Sequence, residues 1–515
     1  MLDYLFRNAT IVDGSGHAAY RGDLAVENGR IAGIGHLEGA QAATVLDLAG
    51  KVLAPGFIDV HVHSEMEMLA GRHTAGVAMG VTTELICPDG MSFAPLPPAW
   101  LAEYRRYLCA LYGDAAVGWD WQSFPEYLAR FEGRIANNVA AQVPHGVVRL
   151  AVKGWTPGPA SEEELAAMAR LVREDLEAGA VGLNTGLEYV PATHSDLQEL
   201  VALSRVVAEY GGVYAAHMRG TTAQGLAETV AVAEQAGVPV HISHFSGAPA
   251  GQYQAVEAAL ARGIDLTWDS YPYCAGCTML AIGLPPSMLA VSIDQLLADL
   301  QTPEMRRRTH EALESRFPPD SPVYFAALAR PHNQWMEGRR LRQVWEGSGK
   351  TFEDFVCDLL VDEELAPLLI LPWPDSPEAA EARLRYTLTH PRQMVSTDGI
   401  YRGRYAHPRS WGTYPRLLGR YVREQGWLGL EDAVRRMSGF PAARFDLADR
   451  GLLRPGLAAD LVVFDPATIQ DQGTYESPRL APVGIEHVLV NGTPVVWQGR
   501  LTAERPGRLV RRGGR

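Results

Sequence analysis

Apolar runs alternate with amphipathic stretches through the middle of the chain. Segments 162–178, 196–210 and 222–236 have helical periodicity, and each is followed by a short apolar run typical of a buried strand. Strand and helix in alternation predict a parallel sheet, and about eight such units predict a (β/α)₈ barrel. We therefore expect an α/β protein whose barrel spans residues 54–453.

The two ends of the chain show a different pattern, with short strands joined by turns. Asn28-Gly29 lies between two apolar runs and predicts a hairpin, because both residues accept positive φ. Strand-rich ends that flank a large middle can pair, so we predict one small β-sandwich domain from residues 1–53 plus 454–515. From about residue 301 to 384 a charged helical region interrupts the barrel pattern, which predicts an insertion or lid beside the site.

Composition and charge narrow the class of protein. The chain has 515 residues, of which 47% are hydrophobic and 21% charged, as in globular proteins with more than one domain. A formal net charge of −14 argues against nucleic acid or an anionic membrane as partner, since both bind basic surfaces. We find neither a signal-like start nor an apolar run of about 18 residues, so we expect a cytoplasmic protein. Homo-oligomerisation stays open.

Two histidines, His61 and His63, follow a buried apolar run. Side chains alternate along a strand, so both imidazoles point to one face. Further candidate ligands end later apolar runs: His217, His244 and Asp398. Barrel enzymes carry their active sites at the carboxyl ends of the strands, so these side chains are candidates for one metal site.

The chemistry of this set suits a divalent metal. Four histidines with one or two carboxylates are ligands for Zn²⁺ or a similar ion that keeps a position open for water. Water bound there ionises near neutral pH, and a neighbouring carboxylate can take its proton and pass it to a leaving amine. The set therefore indicates amide hydrolysis.

Longer motifs surround these residues along nearly the whole chain. They occupy residues 57–63, 182–191, 217–219, 242–244, 271–280, 398–399, 407–416 and 450–465. Together they resemble the amidohydrolase superfamily, and specifically its D-aminoacylase (N-acyl-D-amino-acid deacylase) branch. The resemblance implies a metal-bearing barrel with a small β-sandwich made from both chain ends, acting on a small N-acyl amino acid or related amide.

The resemblance also implies roles for the candidate ligands. By position, His217 and His244 would hold a tight zinc ion, and His61 and His63 would face a second, weaker site. Asp398 would act as the general base and then as the general acid.

The second-strand motif departs from the family pattern. Where the family has a zinc-binding cysteine in Gly-Asn-Cys-Gly, this chain has Asp89 within Cys87-Pro-Asp-Gly90. We expect Asp89 to be a bridging or tight-site ligand, because a carboxylate can replace a thiolate at zinc. Cys87 is the alternative ligand, and a plain turn is the alternative structure. Oxygen ligation would also accept Mn²⁺ or Co²⁺.

A second departure concerns the substrate carboxylate. Family members tend to carry a lysine two residues after the sixth-strand histidine, whereas this chain has Ser246. Arg409 is then the expected carboxylate anchor, with Arg219 as the alternative. An ordinary surface ion pair is the competing interpretation of each arginine.

Other residues are candidates for the substrate pocket or the metal bridge. Tyr189 and Tyr271 can close over the scissile amide, although aromatic residues at strand ends are more often core. His145 can line the pocket or be a hydrogen-bonded loop histidine. Lys153 ends a strand-like run, where other amidohydrolase branches place a carboxylated lysine.

These observations favour a zinc-dependent amidohydrolase that deacylates N-acyl-D-amino acids. The same chemistry serves cyclic amides such as hydantoins and dihydropyrimidines, and dipeptide-like amides, which form the enzymatic alternative. A metal-free scaffold is the non-enzymatic alternative, and the joint presence of four histidines and Asp398 argues against it.

Overall fold

A closed barrel of parallel strands forms the centre of the protein. The computed structural model describes residues 1–220, 222–247, 251–318 and 320–514. Its barrel strands are Phe57–Asp59, Val81–Ile86, Asn138–Ala141, Gly182–Gly186, Val213–His217, Val240–Ile242, Leu266–Ser270 and Gln393–Val395. A parallel bridge between Val62 and Gly399 joins the first strand to the last. The predicted (β/α)₈ barrel is thereby confirmed.

Helices follow the strands, and side-chain caps set several of their starts. The three helices predicted from periodicity span Glu162–Glu177, Leu197–Glu209 and Ala223–Ala236. The preceding Ser161, Asp196 and Thr222 accept hydrogen bonds from backbone N–H groups in the first turn, which otherwise lack partners. Shorter or more peripheral helices span Glu65–Leu69, Ala75–Ala78, Pro98–Tyr112, Phe124–Ala129, Gly251–Ala261, Arg409–Arg416, Leu430–Met437 and Gly439–Arg444. Within the described ranges, no helix is both long and apolar enough to cross a membrane.

One run near the third strand was expected to be a strand and is a helix. Residues His145–Lys153 form a helix that buries Val147, Val148 and Leu150. Valine-rich composition favours strands, but it is a weak preference that burial of one helical face can override. The strand-like interpretation of the run ending at Lys153 was therefore wrong.

Both chain ends contribute to one nine-stranded sheet. Its strands are Leu2–Ile11, Tyr20–Glu27, Arg30–Gly35, Ala42–Asp47, Val52–Pro55, Leu461–Phe464, Ile485–Val490, Thr493–Trp497 and Arg500–Leu501. Val52–Pro55 pairs antiparallel with Leu461–Phe464 and so connects the two ends. The hairpin turn lies at Asn28-Gly29, with φ of 52° and 75°. The small β domain made from both ends is thus present, while its exact boundaries at residues 53 and 454 stay a prediction.

The chain makes a long excursion between the seventh and eighth barrel strands. Ala275–Met279, Tyr324–Ala327 and Leu368–Pro372 form a three-stranded antiparallel sheet there. The accompanying helices span Ile293–Asp299, Pro303–Arg316, Leu341–Glu346, Phe352–Asp362 and Pro377–Thr389. The sequence pattern predicted a helical region over residues 301–384, but the structure has two strands there as well as helices. Its action as a lid stays a prediction.

Candidate metal centre

Asp89 lies at the middle of the four candidate histidines. Its Oδ1 atom is 3.5 Å from His61 Nε2, 3.5 Å from His244 Nε2 and 3.7 Å from His217 Nδ1. Its Oδ2 atom is 3.6 Å from His63 Nε2. The structure therefore gathers side chains from three strand ends around one carboxylate.

Asp398 faces the same cluster from the last strand. Its Oδ1 atom is 3.5 Å from His63 Nε2 and 3.7 Å from His61 Nε2. Two overlapping triplets have ligand atoms that all lie within 4.8 Å of one another. They are His61 with His63 and Asp398, and His61 with Asp89 and His244. The geometry suits two neighbouring ion positions.

The donor atoms at this centre fit a cation. Both ring nitrogens of His61 and Oδ1 of Asp89 are buried without a hydrogen-bond partner. Buried polar atoms are nearly always paired, so such unpaired atoms need an explanation. Imidazole nitrogens and carboxylate oxygens are the ligands that zinc and similar ions prefer, and those of His61 and Asp89 converge without bonding one another.

Opposite charges shift the pKa values of these groups strongly. Burial by itself lowers the pKa of His217, but Asp89 and Glu188 outweigh it and raise the pKa to about 10. In His61 burial again opposes the effect of Asp89, and the pKa rises to about 9. Burial would raise the pKa of Asp398, but Arg409 and nearby histidines hold it below its usual range. The carboxylate is therefore ionised at neutral pH.

Several candidate ligands occupy strained backbone positions at the strand ends. Asp89, His244 and Asp398 have φ of 53°, 34° and 44°, in the left-handed region that non-glycine residues avoid. Such strain concentrates at functional sites, where the surrounding structure enforces it. Gly186 contributes to this enforcement, because a Cβ there would collide with the carbonyl oxygen of Asp89.

Two buried carboxylates that sequence reasoning missed hold the backbone of the strand ends that carry the candidate ligands. Asp59 accepts hydrogen bonds from the backbone N–H groups of His61 and Thr397 at 3.3 and 3.0 Å. Asp269 accepts one from the His244 N–H at 3.0 Å and pairs with His241 at 2.9 Å. Asp59 and Asp269 each follow an apolar residue inside a buried barrel strand, the first and the seventh. A carboxylate at such a position was a signal that could have identified them as site residues.

The second-strand thiol lies away from the histidines. Cys87 Sγ donates to Ser92 Oγ at 3.3 Å and is fully buried. Burial, together with Glu65, raises the pKa of the Cys87 thiol well above its usual range. A neutral thiol facing Ser92 is a poor ligand, whereas Asp89 faces all four histidines.

A cavity of about 880 Å³ opens at the metal centre. Tyr189, Tyr271 and Ser246, three of the candidate substrate-binding residues, lie on its wall. The Tyr189 ring packs edge-on against His217, with ring centres 4.9 Å apart. Leu111, Ile282, Leu371, Trp373 and Ile400 contribute apolar surface to the wall. Three of them, Ile282, Leu371 and Trp373, belong to the excursion between the final two barrel strands.

Three other candidates lie elsewhere: the pocket candidate His145, the metal-bridge candidate Lys153 and the alternative carboxylate anchor Arg219. His145 is fully buried and pairs with Glu199 at 2.8 Å, off the cavity wall. Lys153 pairs with Glu164 at 3.2 Å, and Arg219 pairs with Glu228 at 3.1 Å. The structure therefore does not bring these side chains into the metal centre.

Arg409 lies immediately behind the predicted general base. Its Nη1 atom is 2.9 Å from Asp398 Oδ2, and its guanidinium is 4.4 Å from the centre of the Tyr271 ring. The side chain is fully buried, and no guanidinium nitrogen has a well-aligned hydrogen-bond partner. It thus retains unused donors next to the cavity without forming part of its wall.

Glu188 is a further site residue that sequence reasoning missed. Its Oε2 atom is 3.1 Å from His217 Nε2. Burial would raise the pKa of Glu188, but His217 and Arg316 lower it to about 2. Glu188 lies inside the 182–191 motif, which was the available signal.

Comparison with known proteins adds an independent finding. A family model described as Amidohydrolase family matches residues 44–496. The D-aminoacylase of Alcaligenes xylosoxydans xylosoxydans is 36% identical, over 99% of this chain and 98% of that protein. The crystal structure of N-acyl-D-glutamate deacylase from Bordetella bronchiseptica, with zinc and a phosphonate inhibitor, superposes with a TM-score of 0.82. That structure is 31% identical and covers 99% of both chains. The L-hydantoinase of Arthrobacter aurescens shares the fold alone. Its structure is 17% identical, has a TM-score of 0.58 and covers 99% of this chain and 100% of that chain.

Proposed function

Because this chain belongs to the amidohydrolase family, we propose that it is a metal-dependent hydrolase that removes the acyl group from N-acyl-D-amino acids. The observation that carries the proposal is the placement of Asp89 and Asp398 among four largely buried histidines next to the cavity. The full-length similarity to a D-aminoacylase and to an N-acyl-D-glutamate deacylase supports a linear amide over a cyclic one.

We assign the ion sites as follows. His217, His244 and Asp89 would hold one tightly bound divalent ion, and His61, His63 and Asp398 would face a second, weaker site that shares Asp89. Zinc is the expected ion, and Mn²⁺ or Co²⁺ can substitute at oxygen-rich ligands. When bound, the ion would supply a Lewis acid for the scissile carbonyl and lower the pKa of water.

Asp398 is the proposed general base and general acid. The Arg409 guanidinium at 2.9 Å favours its ionised form, so the carboxylate can accept a proton from the attacking water. It then donates that proton to the departing nitrogen, which leaves as the free amine. Tyr189 and Tyr271, on the wall beside it, would confine the scissile amide.

The charges of the cavity wall favour a neutral amino-acid side chain. Arg383 pairs with Asp375 at 2.7 Å and stacks on Trp373 at 3.7 Å, while Arg316 faces Glu188 at 3.7 Å. Each wall arginine in the described part of the chain is therefore already matched by a carboxylate. A second substrate carboxylate would lack a free partner there, so we expect N-acyl derivatives of neutral, apolar D-amino acids to be better substrates than acidic ones.

A substrate comparison tests this function. We expect measurable kcat/KM on N-acetyl-D-leucine or N-acetyl-D-methionine, with lower values on N-acetyl-D-glutamate and on the L enantiomers. Treatment with a chelator should abolish the activity, and added Zn²⁺ should restore it. Turnover of hydantoins or dihydropyrimidines in preference to every linear N-acyl amino acid would contradict the proposal and establish the cyclic-amide alternative.

Arg409 is the proposed anchor of the substrate carboxylate. Hydrogen bonds to a charged group contribute about 1.5 to 3 kcal/mol, so Arg409→Ala should lower kcat/KM on N-acyl amino acids roughly 10- to 100-fold. The matching neutral carboxamides should lose less, only the part that comes from the contact of Arg409 with Asp398. Steady-state kinetics on the acid and amide pair measures this difference.

Arg219→Ala is the matched control for Arg409→Ala. Arg219 donates to the backbone oxygen of Ser195 at 2.9 Å and pairs with Glu228, so its loss should not discriminate between acid and amide. Equal losses on both substrates in Arg409→Ala would mean that this arginine acts through Asp398 instead.

A further inference from the structure

Glu188 occupies the side of His217 that faces away from the other candidate ligands. The Nδ1 atom of His217 points inward, 2.8 Å from His244 Nε2 and 3.7 Å from Asp89 Oδ1. The Nε2 atom points outward, 3.1 Å from Glu188 Oε2. The two ring nitrogens therefore have different partners.

This arrangement determines which nitrogen of His217 is free to bind an ion. An imidazole that binds an ion is neutral and carries one proton, and a carboxylate that accepts this proton from Nε2 leaves the lone pair of Nδ1 for the ion. Histidine ligands in metal sites usually have such an acceptor behind them, which fixes the tautomer and the ring orientation. The backbone supports the contact, since Leu187 N donates to His217 O at 3.0 Å.

Glu188 is held in turn from the excursion between the last two strands. Arg316 ends the helix Pro303–Arg316, and its Nη2 atom is 3.7 Å from Glu188 Oε2. The glutamate side chain is 22% exposed at the cavity wall, and the arginine is 37% exposed. A partly exposed ion pair of this kind contributes little by itself but restricts where the carboxylate points.

We propose that Glu188 is a positioning residue that orients His217 for metal binding, and that Arg316 holds Glu188 in place. The inference rests on the proposed function, because it assumes that His217 is a metal ligand. It links the metal centre to the 301–384 region, whose helix supplies Arg316. Glu188 lies on the cavity wall, so direct contact with substrate is the competing role.

Metal affinity without substrate separates these two roles. We expect Glu188→Ala to raise the apparent Kd for Zn²⁺, measured by competition with a chromophoric chelator, roughly 10- to 100-fold. Glu188→Gln keeps one acceptor oxygen and should recover part of that loss. The visible spectrum of the Co²⁺-loaded protein should change in Glu188→Ala, while the thermal midpoint of the metal-free protein stays near the wild-type value.

Arg316 and a control carboxylate complete the test. Arg316→Gln should weaken Zn²⁺ binding about fivefold or less, and it should add nothing to Glu188→Ala, because it acts only through that carboxylate. Asp320→Asn removes another cavity-wall carboxylate, one that forms no ion pair among the described residues, and should leave Zn²⁺ affinity unchanged.

The possible results distinguish this inference from the proposed function. Wild-type Zn²⁺ affinity in Glu188→Ala, with an active parent enzyme, would overturn the inference alone. An equal loss of Zn²⁺ affinity in Asp320→Asn would also overturn the inference. The loss would then come from removing any negative charge near the metal centre and not from the contact with His217. A wild-type protein that binds no metal would overturn both proposals.

Discussion

Asp398→Asn should lower kcat on a good N-acyl-D-amino acid by roughly 10² to 10⁴, the usual contribution of proton transfer by a placed carboxylate. The amide is nearly isosteric with the carboxylate but cannot accept the proton of the attacking water. Asp398→Ala should lose at least as much. Steady-state kinetics together with elemental analysis will show whether the rate falls while the tightly bound metal is retained.

A double variant separates the effect of Asp398 on proton transfer from its effect on the stability of the fold. Asp398→Asn leaves the buried Arg409 without its partner at 2.9 Å, and unpairing a buried charge can cost about 3–5 kcal/mol of unfolding free energy. The double variant Asp398→Asn/Arg409→Gln removes both charges and should recover thermal stability but not kcat. If Asp398→Asn retains most of the wild-type kcat/KM, another residue must carry the proton.

Asp89→Ala should have the largest effect on metal content. The wild-type protein should purify with about one tightly held divalent ion and take up a second on titration, because neighbouring sites with different ligands need not have equal affinity. Asp89 lies near all four histidines, so its loss should weaken metal binding strongly. The loss should exceed the roughly 10- to 100-fold that is typical when a residue contacting only a metal ligand is removed. Metal stoichiometry after gel filtration measures the effect.

Cys87→Ser is the matched control on the same loop. Its thiol faces Ser92 and not the histidines, so this variant should keep the wild-type metal content. Asp89→Asn preserves the shape of the side chain and tests whether the charge is required. Loss of metal in Cys87→Ser with retention in Asp89→Ala would assign the ligand role to the thiol.

The local pattern of the sequence was enough to predict the barrel and the approach of its candidate ligands. Helical periodicity predicted Glu162–Glu177, Leu197–Glu209 and Ala223–Ala236 within one or two residues of their ends. His61 and His63 alternate on one strand, and parallel strands present their carboxyl ends on one face. These signals depend only on neighbours along the chain, which is why they could be read without coordinates.

Tertiary structure alone decided how individual side chains are partnered. His145 turned toward Glu199, Arg409 toward Asp398, and Glu188 toward His217, across separations of 54, 11 and 29 residues in the sequence. The segment 145–153 became a helix because packing outweighed the strand preference of its valines. A periodic pattern states which face of an element is buried, but it does not state which residue from another element meets that face. That choice depends on contacts between distant segments, and only the folded chain brings them together.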